Sequence, residues 1–146
     1  NYMYLNSLTM EKKILFRELD IYTAKIDNDF HEKEKEVINY HCMEMNIDNN
    51  DFENVLSLEE VIESIKNTYT MQEIKMALLE LLAVILADNV IGNSEKELFD
   101  ILTKKFQIND IEKENAINAI VTLKDAYAKM TCFIYGENNG GQKNGD

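Results

Sequence analysis

Four carboxylates stand in a repeated frame. Asp27-Asn28-Asp29-Phe30 is followed, after three residues, by Glu34-Lys35-Glu36-Val37; 61 residues later Asp88-Asn89-Val90-Ile91 is followed at the same interval by Glu95-Lys96-Glu97-Leu98. Each copy offers an acid, an Asn that tolerates the left-handed conformation of a tight turn, an apolar plug (Phe30 or Ile91) and a second acid. Asp27 and Asp88 fall where a helix ends, and the macrodipole disfavours a carboxylate there unless something compensates. Glu34 and Glu95 fall in the first turn of the next helix, where a carboxylate is favoured and can receive backbone N–H groups. The chain reverses between the two acids, so they can approach. Two chemistries are open. Either the acids bond loop amides and cap helices, or the carboxylates of both copies line an oxygen-rich site for a hard cation, Ca²⁺ or Mg²⁺. Neither loop is an EF-hand, because twelve-residue windows from Asp27 and Asp88 end at Ile38 and Phe99, where that loop needs a bidentate Glu.

The elements that position these turns read as helices. There is no proline, and four of the five glycines lie in the last eleven residues, so the body is joined by Asn, Asp and Ser turns. The spacing predicts about seven helices. The first starts after Thr9 and carries Ile14, Leu15, Leu19, Tyr22 and Ile26; the second runs from Glu32 to Met45; a short third holds Phe52, Val55 and Leu56. Capping boxes at Ser57-x-x-Glu60, Thr70-x-x-Glu73 and Ser94-x-x-Glu97 open the next three. The last starts at Asn109 or Asp110 and runs to Tyr135, with a break expected near Thr122. The stretch from Met76 to Ala87 is apolar almost all round and should be the most enclosed. Glu80 interrupts it and is read as marking a narrow exposed stripe rather than as a buried acid. The expectation is an all-α single-domain bundle over residues 1–135, with a flexible Gly/Asn-rich tail over 136–146.

Composition bounds the function. The 146 residues carry a net charge of −12, which argues against direct nucleic-acid binding. No basic residue lies between Lys35 and Lys66, whereas Glu36, Glu44, Asp48, Asp51, Glu53, Glu59, Glu60 and Glu63 do, giving either solvated helix faces or a docking surface for a basic partner. The longest apolar run is too short to span a bilayer. Cys42 and Cys132 read as buried small hydrophobes in a reducing compartment, so a cytoplasmic location is expected. His31 and His41 have no zinc spacing. Tyr2, Tyr4 and Leu5 either dock on the bundle or join a partner surface. No HExxH, P-loop, GxGxxG or Ser/His/Asp arrangement is present, so catalysis is not expected.

The segment Leu82-Ala83-Val84-Ile85-Leu86-Ala87-Asp88-Asn89-Val90-Ile91-Gly92-Asn93-Ser94-Glu95 resembles the signature of the TerB (tellurite-resistance-like) family, in which an apolar helix ends in Ala-Asp-Gly before an aliphatic residue and a Glu. Phe106-Gln107-Ile108-Asn109 resembles the family's segment after the next helix, and the copy around Asp27 and Glu34 matches more loosely. Asn28 and Asn89 depart from the family's Gly. The resemblance implies an all-α, two-repeat bundle without catalysis, an acidic cluster that binds metal through Asp27, Glu34, Asp88 and Glu95, and a part in protein assembly linked to stress or tellurite resistance. From a different class comes an acidic interaction module that docks its stretch from Glu36 to Glu63 on a basic protein, mimicking nucleic acid as an inhibitor.

Overall fold

The computed structural model describes residues 4–26, 30, 32–48, 51–86 and 92–136, and among these the chain is helical with no strand. A 3-10 turn, Leu5–Ser7, precedes six α-helices: α1 (Met10–Lys25), α2 (Glu32–Met45), α3 (Leu58–Thr68), α4 (Met71–Ile85), α5 (Asn93–Lys105) and α6 (Asp110–Tyr135). Their starts follow local chemistry. Thr9 caps α1, and full capping boxes form at Ser57/Glu60, Thr70/Glu73 and Asn109/Glu112, each satisfying donors that a helix start leaves orphaned. The box expected at Ser94/Glu97 does not form. α5 starts from Gly92, whose N–H donates to Glu95 Oε1 at 3.2 Å, so the buried Glu95 takes the reciprocal place while Glu97 stays exposed.

α4 is the central element, packed against α1, α2, α5 and α6, and it buries Ile74, Ala77, Leu78, Leu81, Leu82, Val84 and Ile85. Leu5 and Leu8 join the main core, so Leu5 docks on the bundle, whereas Tyr4 stays exposed and Tyr2 lies outside the described residues. α6 runs unbroken through Thr122 for 26 residues. Its first half lays Ala116, Ile117 and Ile120 on the core, and Lys124 Nζ donates to the Leu86 carbonyl at the end of α4. Its last turns carry Phe133, Ile134 and Tyr135 into solvent.

The helix expected around Phe52, Val55 and Leu56 is absent: residues 51–57 are not helical. The cause is a carboxylate. Glu18, buried on α1, accepts the Val55 and Leu56 N–H groups on Oε1 at 2.9 and 2.8 Å and the Asn54 amide at 3.4 Å, while Asn54 also donates to the Glu18 carbonyl at 2.8 Å. Donors that a helix would use are thus spent on a side chain, and Phe52 takes a left-handed φ of 53° that turns its ring onto Phe30. Phe30 is therefore the plug the sequence implied; its counterpart Ile91 lies outside the described residues.

Two helix ends are alike in detail. Asn46 after α2 and Gln107 after α5 both have left-handed φ (57° and 63°). Ile47 N–H returns to the Cys42 carbonyl and Ile108 N–H to the Thr103 carbonyl, so both ends are Schellman turns closed by an isoleucine.

Glu18→Ala would strand the backbone donors of residues 55 and 56. A loss of roughly 3 kcal/mol is expected in urea denaturation, with Glu18→Gln recovering part of it. Amide exchange at Val55 and Leu56 should accelerate more than exchange in α4.

Candidate functional site

Of the four carboxylates singled out by the repeat, Glu34 and Glu95 are placed and Asp27 and Asp88 lie outside the described residues. Glu34 is the third residue of α2 and Glu95 the third residue of α5, and both are almost wholly buried, at 2% and 3% exposure. A carboxylate this enclosed must be held by donors or by a cation, and Gly92 supplies one of the donors to Glu95. The donor set is all oxygen and suits Ca²⁺ or Mg²⁺. Among the described residues, no three His, Cys, Asp or Glu side chains converge as a metal site.

A second constellation sits where α1, α2 and α4 meet, and its members were read differently from the sequence. Glu80 does not face solvent: it is 3% exposed and points between helices to His41. His41 Nδ1 lies 2.9 Å from Asp20 Oδ2, and its Nε2 lies 3.3 Å from Glu80 Oε1, with all three side chains buried. The Phe16 ring meets the imidazole edge-on at 5.4 Å. Burial by itself would lower the imidazole pKa. The Asp20 charge and hydrogen bond, then those of Glu80, outweigh it and push the value from 6.5 up to about 10. His41 is therefore an imidazolium donating from both nitrogens.

This protonation state decides what the group can do. An imidazolium with both N–H groups donated to carboxylates has no lone pair for a metal, and none for a nucleophile's proton. With both ring nitrogens turned to carboxylates, the imidazole presents neither to a metal or a nucleophile in this arrangement, although the group shares the Asp–His half of a Ser/His/Asp relay.

The triad is not sealed. His41 and Glu80 reach the inner end of a cleft of about 380 Å³ between α2, α4 and α6, lined also by Glu36, Val37, Tyr40, Glu44, Ala83 and Tyr127. Burial and the nearby Glu80 charge raise the Glu44 pKa, against His41 and a backbone hydrogen bond from Leu5.

No family model, curated protein or solved structure matches the chain. The TerB-like resemblance accordingly rests on the residues that carry it. No helix among the described residues is long and apolar enough to cross a membrane.

The acids between Lys35 and Lys66 differ in their surroundings, and Asp51, Glu53 and Glu60 are exposed despite their partners. Asp51 and Glu53 are met by Arg17 and Lys25 of α1 at 3.2 and 3.4 Å, Glu60 caps α3, and Glu44 turns into the cleft. Glu36, Asp48, Glu59 and Glu63 are exposed. Cys42 is buried as expected, Cys132 is only half-buried, and no disulfide joins them.

Removing His41 would leave Asp20 and Glu80 as buried charges without their cation, and His41→Ala should cost about 3–5 kcal/mol in chemical denaturation. The folded-state pKa is raised, so the folded chain holds a proton that the unfolded chain releases. The His41 contribution is then complete below pH 6.5 and declines as pH rises toward about 10. The urea midpoint of the parent protein should fall across that window, and the midpoint of His41→Ala should fall less.

Proposed function

We propose that this chain is a non-catalytic, TerB-like helical domain of two related halves, in which Asp27, Glu34, Asp88 and Glu95 hold Ca²⁺ or Mg²⁺ and which serves protein assembly in a cytoplasmic stress or tellurite response. The observation that carries this reading is the matched burial of Glu34 and Glu95. Two acids 61 residues apart take the third position of their helices and are withdrawn from water to the same degree. The Schellman turns at Asn46-Ile47 and Gln107-Ile108, at the same offset, support the two-half arrangement. Residues 27–48 and 88–109 would then be one device used twice. A hard cation fits the donor chemistry because all four side chains offer carboxylate oxygens.

The test is a thermal melt in Ca²⁺, then Mg²⁺, against EDTA and against NaCl at matched ionic strength. A site filled at about 100 times its Kd should add about 2.7 kcal/mol, or roughly 5–10 °C. The shift should disappear in the Asp27→Asn/Asp88→Asn variant. An equal response to NaCl would show only relief of charge repulsion and would sink the proposal.

A second reading, the acidic module for a basic protein, is favoured by the exposed Glu59 and Glu63 on α3. Glu59→Lys/Glu63→Lys spares the Ser57/Glu60 cap and should abolish capture of a basic partner without lowering the melting temperature by more than about 2 °C. Retained capture would remove this surface from consideration.

A further inference from the structure

The cleft above His41 and Glu80 has features that the turn carboxylates do not explain. Its lining contains Glu36, Glu44 and Glu80 and no Lys or Arg. Glu80 is 97% withdrawn from solvent (3% exposed), and while its Oε1 faces His41, its Oε2 has no hydrogen-bond donor among the described residues. Glu44 Oε2 is likewise buried without a donor. A buried carboxylate oxygen without a donor costs free energy.

The bundle does not require polar groups at these positions. At the 61-residue offset, Asp20, His41 and Glu80 correspond to Leu81, Leu102 and Leu19, all essentially fully buried in the main core. On the two-half reading, the positions related to the triad by the repeat are thus apolar. Three well-packed apolar side chains are commonly as stabilising as a buried ionic triad. The triad is therefore there for something other than packing.

We propose that this cleft binds an organic cation, an alkylammonium group of the kind that ends a lysine side chain or a polyamine, with its charge against Glu80 and Glu44 and its stem between Val37, Ala83 and the rings of Tyr40 and Tyr127. The volume is that of a small-molecule site rather than of a bare ion. Apolar and aromatic walls suit an alkyl stem and an ammonium beside a ring face. An ammonium in the cleft would set positive charge beside the Glu80 and Glu44 carboxylates. His41, held as a cation by Asp20 behind it, sets the Glu80 carboxylate in place while leaving the cleft negative overall.

The experiment is an NMR titration of the full chain at constant ionic strength, following the Ala83 methyl and the Tyr127 ring. The probes are N-acetyl-lysine methylamide, its neutral analogue N-acetyl-norleucine methylamide, and putrescine. Saturable shifts with the lysine amide and none with the norleucine amide are expected. Tighter binding of the lysine amide than of putrescine would make the source a protein side chain, and the reverse a free polyamine. Glu80→Gln should weaken binding roughly tenfold or more. Ala83→Leu, which narrows the cleft and leaves every charge in place, should do the same if Glu80→Gln proves poorly folded. Equal shifts from the lysine and norleucine amides, or binding that survives in both variants, would overturn the proposal. Asp27→Asn/Asp88→Asn should leave this titration unchanged, which separates it from the cation reading of the turns.

Discussion

A positive charge inside the bundle holds three helices to one another. His41 on α2 reaches Asp20 on α1 with one ring nitrogen and Glu80 on α4 with the other, and the apolar packing around it presupposes that geometry. Hydrophobic contacts are non-directional and tolerate a slide or rotation of a helix. A doubly donating imidazolium does not, because both carboxylates must stay within hydrogen-bond reach or remain buried and uncompensated. Ile21, Ala24, Ile38, Cys42 and Val84 pack together as a small second core from the same three helices. The register of α2 on α1 and α4 thus follows from the ion triad as much as from these side chains.

The connection between α2 and α3 obeys a similar rule. Glu18 lies two residues before Asp20 on the same helix, and it too is a buried acid, but its partners are backbone amides. Arg17, beside it, reaches Asp51, and Tyr22 Oη donates to the Leu56 carbonyl. α1 therefore dictates the path of residues 51–56 from a single face. An acid in place of a leucine at such a position converts a sliding contact into a fixed one, at the expense of desolvating a charge.

Acidity in this chain has three distinct uses, which a net charge of −12 conceals. Some acids sit at helix starts as caps, as Glu60, Glu73 and Glu112 do, and neutralise orphan N–H groups. Some are enclosed and define geometry, as Glu18, Asp20 and Glu80 do. The rest, including Glu59 and Glu63, face water, where screening leaves each worth little by itself. Glu60 belongs to two classes, since it caps α3 and is also exposed beside Glu59.

The amino-acid order by itself determined the helical class, the starts of α1, α3, α4 and α6, the enclosure of α4 and the place of Glu34 and Glu95 in the first turns of α2 and α5. These are local matters: capping, propensity and 3.6-residue periodicity act within a few residues and are written in them. Glu97 and Phe52 mark where local rules failed, because a better-buried acid and a distant carboxylate competed for the same backbone donors. The triad was beyond such reading. Asp20, His41 and Glu80 each look like an isolated polar residue on an apolar stripe, and 21 and 39 residues of chain separate them. Only the packing of α2 and α4 on α1 brings them within 3.3 Å, and only that proximity turns a weakly basic ring into a fixed cation. Burial and charge pairing are properties of the folded arrangement, so the tertiary structure alone decided where this chain keeps its buried charge.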